Sequence, residues 1–245
     1  MDLNQRKIGI AVFGCFLASG GALAQSSGAA NRPDFRMMFG FLSGKYEDTS
    51  RNEVKNTSSQ EQGVKVSGSE VQIAGAYSDF DAELTQRTVT PASVDYWSKR
   101  SELYLTVGYY WPDFHFVQPV VGYNQTTQSG DRDATDAPAA FIDKNTAFIL
   151  GLRSSYCPYD FGGHGPLVQV RQSYITSLEA KRNFGDERYL GLGYFFQTGR
   201  FKAALVAGQL RNFFNASKPS ADDDALRLKV RHVYTANRIG LYIEY

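Results

Sequence analysis

The sequence predicts an all-β fold: an antiparallel up-and-down β-barrel of 12 strands, or of 10, that crosses a membrane with strands. Three observations predict it. Apolar and polar residues alternate with a period of two along most of the chain, with no comparable stretch of helical periodicity. Mean hydropathy is negative, −0.35, which an all-helical membrane protein does not show. A barrel tolerates it because only alternate residues meet lipid. Aromatic side chains are also abundant, with 17 Phe and 15 Tyr, as interfacial belts require.

The elements follow in chain order. Arg6 and Lys7 precede a short apolar run, Ile8 to Leu17, and Ala22-Leu23-Ala24 reads as a small-x-small cleavage site. The run is too short to span a bilayer, so residues 1–24 are expected to be a cleaved secretory signal peptide. A lipoprotein signal at Cys15 is the other reading, but Val12-Phe13-Gly14-Cys15 fits that motif poorly. Residues 25–32 are small and polar and are expected to be a disordered leader. Residues 33–245 are expected to form one barrel domain.

Within it, Phe35, Met37, Phe39 and Phe41 share one face of a strand. Leu103, Leu105, Val107, Tyr109 and Trp111 do the same, as do Phe148, Leu150 and Leu152. So do Val168, Val170 and Tyr174, then Leu190, Leu192, Tyr194 and Phe196, then Leu226, Leu228 and Val230. Turn residues at Trp111-Pro112-Asp113-Phe114, Gln197-Thr198-Gly199-Arg200 and Thr235-Ala236-Asn237 are expected to make tight hairpins. Candidate strands start near residues 34, 63, 82, 100, 114, 145, 167, 187, 200, 225 and 237. That count is odd, whereas single-chain bacterial barrels have even numbers. The segment at 82–92 alternates least well; dropping it gives ten strands, and dividing the 78–100 region differently gives twelve.

The final segment, Asn237 to Tyr245, reads N-R-I-G-L-Y-I-E-Y and ends on an aromatic residue. It resembles the closing strand of bacterial outer-membrane β-barrels. That resemblance implies an outer-membrane location and a terminal strand read by the barrel assembly machinery. It also implies contact with outer-membrane lipid and lipopolysaccharide.

Charge excludes other classes. Removing residues 1–24 takes away Asp2, Arg6 and Lys7 and leaves acidic and basic residues in equal number. No global basic field exists to attract nucleic acid. Cys157 then stands alone, so there is no intramolecular disulfide framework.

If the apolar faces meet lipid, the opposite faces line a lumen. They include Arg36, Glu102, Arg153, Gln169, Arg171, Glu179, Lys181, Arg238 and Glu244. Arg227, Lys229 and Arg231 share one face of one strand, and Arg171 and Arg153 are expected to join that wall. Rings of Arg and Lys favour anions in a wet pore. The expected function is therefore a small channel for anionic solutes. The competing expectation is a closed scaffold whose lumen is filled by Arg–Glu pairs, with Glu102, Glu179 and Glu244 as partners.

Enzymatic readings are weaker. Lipid A deacylases carry His-x-Ser on the outer surface, whereas this chain has His232-Val233-Tyr234. His232 is expected on the lipid-facing side with Val230 and Tyr234. His115 and His164 have no nucleophile pattern around them, and no His/Cys cluster suits zinc. Asp131, Asp133 and Asp136 lack the glycine and closing glutamate of a calcium loop. No cofactor, metal or catalytic residue is expected.

Overall fold

The computed structural model describes residues 35–52, 57–77, 79–92, 99–109, 117–131, 140–177, 184–220 and 223–245. Side chains are described for a narrower set, which omits 48–62, 128–144, 177–184 and 214–232 within or beside strands. The expected signal peptide, leader and Trp111–Phe114 hairpin lie outside the described residues, as do His115, Asp133 and Asp136.

Ten strands form one closed antiparallel barrel. They are β1 (Phe35–Asn52), β2 (Thr57–Tyr77), β3 (Phe80–Pro91), β4 (Lys99–Tyr109) and β5 (Val117–Asp131). They continue as β6 (Ala140–Tyr156), β7 (His164–Ser177), β8 (Phe184–Thr198), β9 (Phe201–Ser220) and β10 (Asp223–Glu244). Sequence neighbours pair all the way round, and β1 closes on β10. Phe35 and Tyr245 exchange backbone hydrogen bonds of 3.0 and 2.9 Å at that seam. Closure leaves no open sheet edge with unpaired backbone groups.

The expected count of 12 strands is therefore corrected to ten, for two reasons. The 78–100 region, whose division gave twelve, holds one strand between β2 and β4, and that strand is the poorly alternating β3, paired on both sides. Thr235-Ala236-Asn237 is not a hairpin: β10 runs straight through it, paired with Lys45-Gly44-Ser43 and with Arg211-Leu210-Gln209. Small polar residues there read locally as a turn, but two neighbouring strands hold them extended. That continuity also reverses the expected placement of Tyr234, which is buried in the lumen rather than facing lipid. His232 is in phase with it, although its side chain is outside those described.

The register fixes the geometry. From Arg36, paired residues lead through Ala74, Glu83, Thr106, Gly122 and Ile149. They continue through Ile175, Gly185, Phe214 and His232 and return to β1 at Asp48, twelve residues further along. A stagger of twelve on ten strands gives a tilt of about 40° and a backbone radius of about 10 Å.

Alternation then sorts the side chains. Phe39, Phe41, Ile73, Leu84, Leu105, Leu150, Leu192, Leu205 and Leu241 point outward and are exposed. Met38, Tyr46, Tyr189, Val206, Leu210, Tyr234 and Tyr242 point inward and are buried. Glycines on inward positions make room for this filling. Gly191 and Gly208 face one another in the register, and a Cβ at Gly191 would sit 2.3 Å from the Tyr189 hydroxyl. Aromatic residues gather at the end of the barrel where Phe35 meets Tyr245, with Phe80 packed on Tyr109 and Tyr194 on Phe196. The turn at that end between β8 and β9 uses Gly199 at φ 59°, a left-handed conformation that glycine adopts without strain. At the other end β9, β10, β1 and β2, neighbours in the ring with 20, 22, 18 and 21 residues, run past the shorter β3 and β4.

Candidate functional site

The feature with the densest chemistry is the lumen itself, which is filled by two layers of ion pairs. β3 builds both. Its outward positions carry Phe80, Ala82 and Leu84, and its inward positions carry Asp81, Glu83, Thr85 and Arg87.

The first layer centres on Arg87, which is fully buried. Its Nε donates to Glu70 on β2 (2.7 Å). Its Nη1 donates to Glu102 on β4 (2.8 Å), to Glu187 on β8 (2.6 Å) and to the Tyr234 hydroxyl on β10 (2.8 Å). β3 and β8 stand on opposite sides of a ten-strand ring, so this single side chain bridges the lumen. Each carboxylate has further partners. Arg238 Nη1 lies 3.1 Å from Glu70, and Arg100 Nε donates to Glu102 at 2.7 Å. Asn212 donates to Glu187 at 3.3 Å, and the Tyr104 hydroxyl stands 3.0 Å from both Glu102 and Glu187. The guanidinium of Arg238 also stacks over the Tyr189 ring, 4.2 Å from its centroid.

The second layer lies nearer the Phe35–Tyr245 end of the barrel. Arg36 donates to Asp81 at 2.6 Å. Arg153 holds both acids, Asp81 and Glu83, the latter at 2.6 Å, and also donates to Gln118. Arg171 pairs with Glu83. Between the layers a cavity of about 10 Å³, bordered by Tyr104, Thr106, Arg153, Arg171, Ser173 and Glu187, has room for about one water.

Buried charges survive only when paired and hydrogen-bonded. Here eight strands contribute charges and each charge has an ion-pair partner, while Glu70 Oε1 and Arg238 Nε are left without a hydrogen bond. The arrangement also settles what the polar faces do at this depth: guanidinium forks and carboxylates hold each other.

Of the residues expected to form a basic wall, Arg153 and Arg171 do face the lumen and share Glu83. Arg227, Lys229 and Arg231 stand elsewhere. They occupy the part of β10 that runs past the shorter strands, opposite Arg51 and Thr49 for the last two. In the strand's alternation they are in phase with Ile239 rather than with Arg238. Their side chains lie outside those described. Of the expected acidic partners, Glu102 is in the first layer and Glu244 pairs with Lys202 at 3.5 Å. Glu179 lies outside the described residues.

Sequence reading missed Arg87, Glu70, Asp81, Glu83 and Glu187. The signal for three of them was present in β3: charged residues at every second position opposite apolar ones. It was read as poor alternation because the apolar half is short and fades into Gln86 and Thr88.

His164 and Cys157 lie at the terminal end of the barrel. His164 Nδ1 is 2.7 Å from the Tyr194 hydroxyl, and its ring packs on Phe161 and Phe196. The four rings form one aromatic cluster. Among the described residues no group of three His, Cys, Asp or Glu side chains is placed to hold a metal ion.

No family model matches the sequence, and no curated protein matches it. Solved structures do resemble it in architecture. The outer membrane protease OmpT from Escherichia coli aligns over 87% of this chain and 97% of its own, at 8% identity and a TM-score of 0.48. The translocator domain of the autotransporter NalP from Neisseria meningitidis aligns over 99% and 98%, at 12% identity and a TM-score of 0.40. The beta domain of the Bordetella autotransporter BrkA aligns over 84% and 99%, at 11% identity and 0.38. The chain itself is a closed antiparallel barrel of ten strands.

Proposed function

We propose that this protein is a bacterial outer-membrane barrel whose transmembrane lumen is sealed, so that it serves as a non-conducting scaffold. Arg87 carries the proposal: one guanidinium joins carboxylates on β2, β4 and β8 across the lumen. The apolar outward face supports the membrane location, and the closed β1–β10 seam supports stability in lipid. On this reading the signal peptide is removed on export and the terminal strand engages the assembly machinery. Outer-membrane lipid and lipopolysaccharide surround the belt. The long strands β9, β10, β1 and β2 then present the working surface beyond the membrane, because barrels of this class keep short turns on the periplasmic side.

Efflux from vesicles tests it. Vesicles carrying the folded mature chain should retain chloride and small sugars as well as protein-free vesicles do. Rapid release of either from vesicles with verified insertion would reject the sealed lumen.

A gated anion channel is the second reading. It is favoured by the balance of the two layers, in which six guanidiniums (Arg36, Arg87, Arg100, Arg153, Arg171, Arg238) face five carboxylates (Glu70, Asp81, Glu83, Glu102, Glu187). In that reading Arg153 and Arg171 set selectivity once the layers part, and Arg227, Lys229 and Arg231 act at the mouth. Neutralising each set separately would separate the two contributions in any conducting state.

A further inference from the structure

One wall of the barrel carries a stripe of cations on its outward face. The register sets five residues side by side across β8, β9, β10, β1 and β2: Arg188, Arg211, Thr235, Lys45 and Lys65. All five are in the outward phase of their strands, with Leu190, Leu205, Ile239, Phe41 and Val71. Neighbouring strands lie about 4.8 Å apart, so the stripe runs about 19 Å across the sheet. Two of its steps put like charges directly opposite, Arg188 against Arg211 and Lys45 against Lys65. Such pairs are destabilising by themselves, and an anion held between them removes the repulsion. Asp186 answers Arg188 at 2.7 Å, and Glu47 stands one outward step past Lys45. Four cations against two acids leave the wall positive.

The stripe has a defined place beside the apolar rows. On β8 Arg188 follows Leu190 directly. On β9, β10 and β1 a single polar position, Gln209, Asn237 or Ser43, separates it from Ala207, Ile239 and Phe41. In a bilayer that is where head groups adjoin the hydrocarbon. The rest of the ring differs. Following the stagger round, the outward residues of β3 to β7 within about 3 Å of the height of Lys45 are Thr90, Ser101, Gln125, Thr146 and Thr176. Lys99 stands one step past Ser101. On β10 the basic triple Arg231, Lys229 and Arg227 follows Thr235 in the same phase, so the cationic phase of that strand continues past the stripe.

We infer that the β8–β2 wall binds the phosphates of a lipid head group, and that its partner is a lipid with several phosphates on one head group, as lipopolysaccharide has. A zwitterionic head group brings its own cation and leaves the wall positive. The inference rests on the membrane-barrel reading above and adds which wall holds the lipid and through which residues.

The test folds the mature chain into nonionic micelles and titrates it with lipopolysaccharide, with the same lipid stripped of its phosphates, and with soluble inorganic polyphosphate. Ligand that co-elutes with the barrel on gel filtration is the readout. Lipopolysaccharide should be retained, and the dephosphorylated lipid should not. Lys45→Gln with Lys65→Gln and Arg211→Gln should weaken retention about tenfold or more, because hydrogen bonds to charged groups are the strong ones. Lys99→Gln should leave it unchanged. Added salt should weaken retention by the wild-type chain, which needs no variant to fold. Equal retention of the dephosphorylated lipid, an unaffected triple variant, or indifference to salt would each overturn the inference. Polyphosphate bound as tightly as the lipid would assign the wall to a soluble polyanion and overturn it too. A wild-type chain that forms no barrel in micelles or vesicles would instead sink the membrane-barrel reading, which separates the two failures.

Discussion

Replacing Arg87 by alanine isolates the energetic role of the first lumen layer. Three carboxylates lose a partner at once, but not equally. Glu70 keeps Arg238 at 3.1 Å and Glu102 keeps Arg100 at 2.7 Å. Glu187 keeps Asn212 and the Tyr104 hydroxyl but no ion pair among those described. The variant therefore strands about one buried carboxylate, and an uncompensated buried charge costs about 3–5 kcal/mol. With a urea slope of about 3 kcal/mol/M, the unfolding midpoint should fall by about 1–1.7 M. Urea titration in lipid, followed by tryptophan fluorescence or by the gel mobility of the folded barrel, measures it. Adding Glu187→Gln to an Arg87→Met variant removes the stranded charge and should recover most of the loss, with a coupling of 1 kcal/mol or more. A midpoint shift below about 0.3 M for Arg87→Ala, at unchanged slope, would refute the reasoning.

Other outcomes follow from the same geometry. Glu83→Ala removes the acid shared by Arg153 and Arg171. It should destabilise by about 3 kcal/mol or more in the same titration. Gly191→Val places bulk where a Cβ already meets the Tyr189 hydroxyl at 2.3 Å and a Val206 methyl at 2.8 Å. Overpacking of this kind costs about 1–3 kcal/mol, so the yield of folded barrel on gels should drop. Cys157 lies beyond the strands, 3.8 Å from Lys202 Nζ, and burial pushes its thiol above the ordinary range despite that lysine. Its alkylation by maleimide should be slow near neutrality and accelerate as pH rises past the usual thiol range. A rate at neutral pH equal to that of a free thiol would contradict this. Arg153→Gln with Arg171→Gln should change the ion preference of any conductance that Arg87→Ala uncovers, as read from the reversal potential in a salt gradient.

The sequence made the barrel legible because an outward face and a lumen impose the same two-residue period on every strand. The outward rows Phe35–Phe41, Leu103–Tyr109 and Leu190–Phe196 could be assigned from that period alone. Strand number was not legible at two places, and both failures are physical. β3 looks weak because its apolar row is short, yet its charged row builds the lumen. Thr235-Ala236-Asn237 has turn chemistry, yet the hydrogen bonds of two flanking strands keep it extended. The lumen network was half visible. Arg36, Arg153, Arg171, Glu102 and Arg238 could be placed inward by parity. Which acid meets which arginine depends on the stagger of the whole ring: Arg87 and Glu187 are 100 residues apart and come from opposite walls. No local pattern encodes that pairing.

The account's central claim is that paired charges seal the lumen, and single-channel recording in a planar bilayer tests it most directly. The folded, inserted wild-type protein should give no stable conductance steps, whereas Arg87→Ala, if it inserts, should flicker open. Stable wild-type steps of uniform size would contradict the claim and restore an open channel as the better description.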